Sequence, residues 1–312
     1  MEIILNKQWQ IKGKYHQAKK TQKKLAYVIF FMYLCKLILC KVIFMMRKIR
    51  KNQTWMNLSI MASFFCVLTC CAPREAVKQA GEVVRDTING VPCCIYLPYG
   101  YAERAENEVF PVLYLHHGMW GNENDWTEQG HLVHWMDSLL ALGEVKEMVV
   151  VMPDNCPHRE TSEEERANAM NGHWEMQFAD FMSETERRYS VSDEPAKRAI
   201  AGLSMGGFHS MHVSHHLAGQ FAYVGLFSPA IRPPQSNEVY DHWEDEVREQ
   251  MSYDPLYWIA IGREDFLYDN VSEYLQWLND NNIEYTYYES KGGHTWPNWQ
   301  DYICRFLKRI SK

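Results

Sequence analysis

A serine between two glycines is the residue in this chain with the clearest chemical potential. The segment Gly202–Gly206 reads Gly-Leu-Ser-Met-Gly and lies between an apolar run typical of a strand and a segment typical of a helix. In that setting Gly-x-Ser-x-Gly is typical of a nucleophile elbow, a strained turn that lifts a serine hydroxyl above a sheet edge. Gly202 and Gly206 would leave room where the two backbones approach, because a Cβ atom there would clash. The pattern also occurs in ordinary turns, so Ser204 needs partners to be a nucleophile.

Two suitable partners for Ser204 follow later strands. Asp265 comes after the predicted strand Leu256–Ile261, and His294 lies in a Gly-Gly-His turn after the predicted strand Ile283–Tyr288. Active sites of doubly wound sheets form beyond the carboxyl ends of the strands. We therefore expect the three side chains to meet at that edge of the sheet.

These residue types suit acyl transfer. A histidine within hydrogen-bond reach can take the proton of Ser204 and return it to a leaving alcohol. An aspartate holds that imidazole in the right tautomer and stabilises its cationic form. The order along the chain is serine, acid, histidine, as in α/β-hydrolases. Asp265 and His294 are the predicted partners, while Glu264 and Asp269 remain alternatives for the acid.

An attacked carbonyl becomes an oxyanion, which requires fixed hydrogen-bond donors. The backbone N–H of Met205, directly after the nucleophile, is one predicted donor. The second is expected in the loop after Leu115, at the N–H of Met119. Loss of one such donor typically lowers the rate by about 100- to 1,000-fold.

Strands alternate with helices along the rest of the chain, which predicts an α/β fold. The architecture expected is an α/β-hydrolase fold with a mostly parallel central sheet and helices on both faces. The predicted strands are Glu82–Arg85, Val91–Leu97, Pro111–Leu115, Met148–Met152, Arg198–Ser204, Phe221–Phe227, Leu256–Ile261 and Ile283–Tyr288. The predicted helices include Trp174–Tyr189, Met205–Ala218, Val271–Asn279 and Trp296–Ile310.

Two polar segments interrupt this alternation. Cys156–Gly172 is predicted to be a long charged loop, and Ser228–Met251 a variable polar insertion. Both are expected to influence substrate choice. Trp120 and Trp296 stand beside the predicted catalytic turns, so they are candidate substrate-binding residues, with burial in the core as the alternative.

Several histidines lie on the helix after the elbow and are candidate metal ligands. His209, His212 and His216 have spacings that can seat a metal. However, that helix is expected to pack into the sheet, and no carboxylate in the sequence pattern completes a ligand set. Phosphate-binding loops and dinucleotide fingerprints are also absent from the sequence. The sequence therefore predicts neither a metal nor a cofactor.

Charge divides the chain into two unlike parts. Residues 1–73 contain 13 Lys and Arg and one acid, whereas residues 74–312 contain 19 basic and 38 acidic residues, a formal charge of −19. A body that acidic repels nucleic acid and anionic membrane surfaces. Neither is therefore expected to be a partner of this chain.

The basic part has the pattern of a targeting segment. A basic cluster at residues 47–51 precedes the apolar stretch Met56–Thr69, which is too short to span a bilayer comfortably. Cys71 follows, with Leu68 three residues before it, which resembles a bacterial lipoprotein signal. Plain secretory cleavage nearby and a membrane-spanning helix at Leu25–Met46 are alternatives.

This interpretation divides the chain into three parts. Residues 1–44 would be a non-native upstream extension, 45–73 a signal peptide, and 74–312 the esterase domain. The protein would be exported, as a periplasmic or outer-membrane or cell-surface lipoprotein, and a lipid on Cys71 would be its only membrane contact.

Three motifs together resemble the putative esterase family. They are the run from His117 to Trp126 (HGMWGNENDW), the run Gly202–Gly207 (GLSMGG), and Gly262-x-x-Asp265 followed by Phe-Leu-Tyr. The family contains feruloyl and acetylxylan esterases of carbohydrate esterase family 1, tributyrin-type esterases, S-formylglutathione hydrolases and mycolyltransferases. The resemblance covers about residues 80–312. The resemblance implies that Ser204, Asp265 and His294 form the triad. It also implies that Met119 and Met205 supply the oxyanion-hole donors.

The resulting hypothesis is an exported serine esterase acting on small acyl or aryl-acyl esters. Acetyl or feruloyl groups on plant polysaccharide are plausible substrates, cleaved through an acyl-enzyme. One alternative is an acyltransferase that uses the same triad with an alcohol in place of water. Another is a non-catalytic carbohydrate-binding relative.

Overall fold

Eight strands form a single sheet in the computed structural model of the chain, which describes residues 80–105, 108–155, 170, 172–231 and 240–312. The strands are β1 Glu82–Ile88, β2 Val91–Leu97, β3 Val112–His116, β4 Val149–Pro153, β5 Arg198–Leu203, β6 Tyr223–Phe227, β7 Leu256–Gly262 and β8 Thr286–Ser290. The predicted leader, with Cys71, and most of the segment 156–172 lie outside the described residues.

Seven α-helices lie within those residues. They are α1 Asp125–Glu128, α2 Leu132–Ala141, α3 His173–Arg188, α4 Met205–His216, α5 Trp243–Met251, α6 Tyr268–Asp280 and α7 Trp296–Ile310. The predicted helices correspond to α3, α4, α6 and α7, with ends that differ by three residues at most. The bounds of α7 agree with the sequence pattern.

The sheet has the order β1-β2-β4-β3-β5-β6-β7-β8. β1 and β2 form an antiparallel hairpin through Asn89-Gly90, and β2 also pairs antiparallel with β4. Every other neighbouring pair is parallel. The expected α/β architecture with a mostly parallel sheet is therefore present.

Helices cover both faces of this sheet, and the alternation of side chains along each strand explains why. In β3, Val112 and Tyr114 join one buried cluster, while Leu113 and Leu115 join the other. The first cluster also contains apolar side chains of α3, α4, α5 and α6, and the second contains those of α1, α2 and α7. A strand buried on both faces needs a continuous apolar sequence, as β3 has.

The last strand begins later than the sequence pattern indicates. The prediction was Ile283–Tyr288, whereas β8 is Thr286–Ser290. Asn282 has a φ of 56°, its N–H donates to Asn279 O at 3.1 Å, and the N–H of Ile283 donates to Leu278 O at 2.9 Å. This pair of bonds is a Schellman motif, so Ile283 belongs to the end of α6. Its apolar side chain made this position look like the first residue of a strand in the sequence.

The segment Ser228–Met251 was wrongly expected to be polar insertion throughout. Its described part contains α5, whose first turn carries Glu244, Asp245 and Glu246. Acidic side chains at a helix N-terminus interact favourably with the helix dipole. Val247 of the same helix is fully buried, and Trp243 and Met251 at its two ends pack against the same core cluster, so this charged segment also has an apolar face.

The elbow between β5 and α4 has strained backbone geometry. Ser204 has φ 55° and ψ −117°, outside the regions that L-residues ordinarily adopt. A Cβ atom on Gly202 would meet the carbonyl oxygen of Gly206, and one on Gly206 would meet the carbonyl oxygen of His117. The glycines therefore have the role predicted for them, which is to permit close contact between strand, helix and neighbouring loop.

Among the described residues, no helix is both long enough and apolar enough to cross a membrane. The alternative membrane span at Leu25–Met46 lies outside that part of the chain.

The apolar face of α7 is expected to contribute strongly to stability. Phe306 is fully buried between the helix and the sheet. Phe306→Ala should lower the free energy of unfolding by about 3–5 kcal/mol, because it removes a large side chain and leaves a cavity. Lys308→Ala on the same helix removes only an exposed ion pair with Glu144 and should cost at most about 1 kcal/mol. Urea unfolding of both variants measures this, and equal losses would contradict the assignment of the core face.

Candidate active site

A cavity of about 520 Å³ opens at the carboxyl edge of the sheet, beside the elbow. The neighbouring strands β3 and β5 end there, and the chain leaves them toward opposite sides of the sheet. Such a topological switch point is where α/β folds bind ligands. Six residues selected from the sequence line this cavity: Met119, Trp120, Ser204, Met205, His294 and Trp296.

Backbone hydrogen bonds fix Ser204 from three directions. Its N–H donates to the carbonyl oxygen of Phe227 in β6 at 2.9 Å. Its carbonyl oxygen accepts from the N–H of Phe208 at 3.1 Å and from that of Ala230 at 3.0 Å. A non-glycine residue in this conformation costs about 1–3 kcal/mol, so surrounding contacts must hold it. The half-buried serine is thus held in place at the floor of the cavity.

His294 and Asp265 form a close pair. Nδ1 of His294 lies 3.0 Å from each carboxylate oxygen of Asp265. An ionised carboxylate can only accept, so Nδ1 carries the hydrogen and Nε2 is left to take a proton. Glu264 and Asp269, the alternative acids, are both exposed, whereas Asp265 is buried. Of the three acids, Asp265 is the one in contact with His294.

Close backbone contact brings the Asp265 and His294 turns together. The N–H of Arg263 donates to Ser290 O and that of Glu264 donates to Gly292 O, both at 3.0 Å. A Cβ atom on Gly262 would meet the Gly292 carbonyl oxygen, and Gly292 itself has a φ of 87°. Glycine is required at both positions, one for space and one for conformation. The parallel pairing of β7 with β8 therefore continues into the two turns.

Asp265 remains ionised despite its position. Burial raises its pKa, but the hydrogen bonds from His294 and from the N–H of Leu267 at 2.9 Å outweigh that effect, and the net pKa is lowered. The fully buried hydroxyl of Ser228 faces the same carboxylate and also lowers its pKa, although it makes no hydrogen bond of ordinary geometry. Ser228 has a φ of 44°, and it was missed from the sequence because a serine after a strand carries no pattern of its own.

The loop after β3 brings the Met119 backbone beside the serine. The N–H of Gly121 donates to Gly118 O at 3.1 Å, closing a four-residue turn with Trp120 at its third position. Trp120 has a φ of 65°, where such turns usually have glycine. A Cβ atom on Gly118 would lie 3.5 Å from Ser204 Cβ. The predicted oxyanion donors therefore come from two adjacent segments, this turn and the first residue of α4.

Hydrogen bonds between buried polar groups hold this loop in place. Nδ1 of His117 lies 2.7 Å from the Gly118 carbonyl oxygen, and Nε2 lies 3.1 Å from Asp154 Oδ1. Asn155 donates to the His117 carbonyl oxygen at 3.4 Å. These bonds join the ends of β3 and β4. The pairing was not foreseen because the partners are 37 residues apart.

Aromatic side chains form the rim of the cavity. Trp120 is 64% exposed and Phe266 is 76% exposed, although both line the cavity. The ring of Phe266 lies 4.5 Å from that of His294, and the ring of Trp299 lies edge-on to the same imidazole at 4.9 Å. The candidate Trp296 lines the cavity as well. Phe266 was not selected from the sequence, although it directly follows Asp265.

The histidines of α4 differ from one another in their environments. His209 and His212 are buried, whereas His216 is exposed and lies 3.7 Å from Glu246. Glu175 of α3 lies 2.6 Å from His209, an acid–histidine pair that the sequence pattern did not indicate. No group of three or more His, Cys, Asp or Glu side chains in the described residues is arranged to hold a metal ion.

Comparison with known families identifies a match along most of the chain. The family model described as Putative esterase matches residues 89–310. This range includes the elbow, the acid and histidine turns, and the loop after β3.

Two curated proteins are similar in sequence. The chain is 32% identical over 152 residues to an endo-1,4-beta-xylanase/feruloyl esterase of Xylanibacter ruminicola, a match that covers 45% of this chain and 20% of that protein. The chain therefore spans about a fifth of that relative's length. It is 22% identical over 242 residues to an acetyl esterase of Caldicellulosiruptor saccharolyticus, covering 68% of this chain and 87% of that protein.

Solved structures share the fold. A ferulic acid esterase has 26% identity and a TM-score of 0.62, with 74% of this chain and 98% of that chain covered. A ferulic acid esterase of carbohydrate esterase family 1 from Anaeromyces mucronatus, solved with ferulic acid, has 22% identity and a TM-score of 0.63 over 76% and 93% of the two chains. These similarities confirm the predicted α/β-hydrolase fold.

The lowered pKa of Asp265 predicts a specific acid dependence of stability. An acid with a depressed pKa stabilises the folded state above its unfolded value, 3.8, and loses that contribution as pH falls through the lower folded value. The stability difference between the wild type and Asp265→Asn should therefore be constant from about pH 5 down to about pH 4 and shrink below 3.8. Urea unfolding at a series of pH values measures it.

Ser228→Ala provides the matched variant in that series. It removes one group that lowers the Asp265 pKa and leaves the carboxylate in place. The folded pKa of Asp265 should rise toward 3.8, so the loss of stability should begin at the same pH as in the wild type, be complete at a higher pH and be smaller in total. A difference between wild type and Asp265→Asn that grows as pH falls from 4 to 2 would contradict the assignment.

Proposed function

Because this chain belongs to the putative esterase family, we propose that it is a carboxylic ester hydrolase that uses Ser204 as its nucleophile. His294 acts as general base and then general acid, and Asp265 holds its imidazole. The observation that carries the proposal is that Ser204 and His294 line one cavity while the Asp265 carboxylate holds His294 Nδ1.

The first half-reaction would transfer the acyl group to the enzyme. Nε2 of His294 removes the hydroxyl proton of Ser204 as the oxygen attacks the ester carbonyl. The carboxylate of Asp265 stabilises the resulting imidazolium, and its lowered pKa keeps it charged for that purpose. The imidazolium then protonates the leaving alcohol, the carbon–oxygen bond breaks, and an acyl-serine remains.

The second half-reaction would hydrolyse the acyl-serine. A water molecule loses its proton to Nε2 of His294 as it attacks, and Ser204 leaves with that proton. Both tetrahedral intermediates carry an oxyanion. The N–H groups of Met205 and Met119 are the proposed donors, since one begins α4 and the other belongs to the turn packed beside the serine.

Small acyl or aryl-acyl esters are the proposed substrates, with acetyl or feruloyl groups on plant polysaccharide as natural candidates. The cavity wall is largely apolar and contains Met170, Leu203 and Ala230, which suits a hydrocarbon or aromatic acyl group. Trp120 and Phe266 at the exposed rim could stack on a sugar or aryl ring. The names of the acetyl and feruloyl esterase relatives agree with this choice.

We also propose a division of the chain into a targeting segment and a catalytic domain. Residues 74–312 would be the catalytic domain, and residues 45–73 would direct export with lipidation at Cys71. The support for this is the basic cluster followed by a short apolar stretch and a cysteine.

Ester hydrolysis by the full chain and by Ser204→Ala tests the mechanism. The substrates are 4-nitrophenyl acetate, 4-nitrophenyl butyrate, methyl ferulate and acetylated xylan. Loss of the nucleophile should lower kcat by at least about 10,000-fold, because the remaining triad residues act only through it. Ser252→Ala is a control: that exposed helix-end serine bonds to Glu249 O and lies away from the cavity.

The acid is tested in the same assay. Asp265→Ala should lower kcat by about 1,000-fold or more, whereas Asp269→Ala, an exposed acid on the same segment, should leave it within about twofold. Equal turnover by wild type and Ser204→Ala would refute the mechanism. Wild-type turnover of no ester would favour the non-catalytic alternative, and transfer to an added alcohol in preference to water would favour the acyltransferase.

A further inference from the structure

Glu175 is a buried acid that the proposed mechanism does not use. It lies in the first turn of α3 and is 1% exposed. Charged side chains are almost never buried so completely unless they are paired. The partners of the Glu175 carboxylate therefore indicate its structural role.

Two partners from different parts of the chain hold the Glu175 carboxylate. Nδ1 of His209 in α4 lies 2.6 Å from one oxygen, and the hydroxyl of Tyr240 donates to the other at 3.1 Å. Burial raises the pKa of Glu175, but the charge and hydrogen bond of His209 outweigh it, so the pKa is lowered. The carboxylate therefore remains ionised and connects α3, α4 and the chain segment just before α5.

Tyr240 packs against side chains that lie next to the cavity. Its ring lies edge-on to Phe208 at 5.1 Å and 4.5 Å from the ring of His212. Together with Phe208 it forms a small buried cluster with Met170 and Met205, against which Ala230 packs. Met170, Met205 and Ala230 line the cavity that holds Ser204. One layer of apolar side chains therefore separates the Tyr240 ring from the substrate space.

This layer is apolar throughout, which determines the part of a substrate that fits it. The alcohol side of a polysaccharide ester is rich in hydroxyl groups, and those would lose hydrogen bonds against methionine and alanine side chains. A hydrocarbon acyl group has no hydrogen bonds to lose at such a wall. The wall that Tyr240 supports therefore suits the acyl side of the cavity.

We propose that Glu175 and Tyr240 are positioning residues that set the acyl-length specificity of the site, an inference that rests on the proposed esterase function. Their hydrogen bond keeps the Tyr240 ring pressed on Phe208 and the wall of Met170, Met205 and Ala230 in place. Without this hydrogen bond the side chains of the wall can move aside, so kcat/KM for longer acyl groups should rise relative to that for acetyl.

The test compares acyl-length selectivity in variants that lose one buried hydroxyl each. Tyr240→Phe removes the bond to Glu175 and keeps the ring. Tyr274→Phe is the matched control, because its hydroxyl bonds to Tyr257 at 2.9 Å, is equally buried, and does not line the cavity. The measurements are kcat and KM of the full chain for 4-nitrophenyl acetate, butyrate and octanoate, together with the Tm of each variant.

In Tyr240→Phe the ratio of kcat/KM for butyrate to that for acetate should rise by about fivefold or more, within the range that one or two methylenes can discriminate. Most of the change should be in KM, and Tyr274→Phe should stay within about twofold of the wild type at a similar loss of Tm. Glu175→Ala should reproduce the change. Glu175→Gln, which can still accept from Tyr240 and donate to His209, should restore the wild-type ratio.

Two results would overturn the inference in different ways. An unchanged ratio in Tyr240→Phe and Glu175→Ala, with wild-type ester turnover intact, would reduce the network to a stabilising role and leave the proposed function standing. Absence of any wild-type ester turnover would refute the proposed function, and the specificity inference would fail with it.

Discussion

The strained backbone at Ser204 is the constraint on which the rest of the site depends. A serine at φ 55° persists only where strand and helix backbones are pressed together, and Gly202 and Gly206 allow that contact. Bonds from the serine backbone to Phe227 and Ala230 then hold the turn against β6. The cost of about 1–3 kcal/mol is met by packing elsewhere, since β5 and α4 are buried along almost their whole length.

Parallel register converts this local constraint into a shared site. β5, β7 and β8 all present their carboxyl ends at one edge, so side chains far apart in sequence meet there. The contact between Gly262 and Gly292 fixes the two turns that carry Asp265 and His294. Rigid turns of this kind keep the imidazole orientation constant, which matters because general base catalysis depends on geometry before it depends on pKa.

The features that could be predicted from the sequence are those that depend on short stretches of neighbouring residues. The elbow, the Asp265 and His294 turns and the alternation of elements all follow from short patterns, and the structure places these residues around one cavity or next to it. Ser228 and Glu175 could not be found that way, because their importance comes from partners 37 and 34 residues away. The late start of β8 has a similar origin, since apolar residues at a helix end resemble a strand in sequence.

The burial of α4 on all sides explains why polar pairs surround the elbow. From Met205 to His215 every residue of this helix is buried, so no solvent-facing side exists on which its histidines and serines could be hydrated. Each polar side chain must find a partner or remain unsatisfied at a cost of about 1–3 kcal/mol. His209 finds Glu175 and Ser210 finds His116. A helix that must approach the sheet closely to present one serine therefore draws its polar partners from neighbouring elements, here α3 and β3.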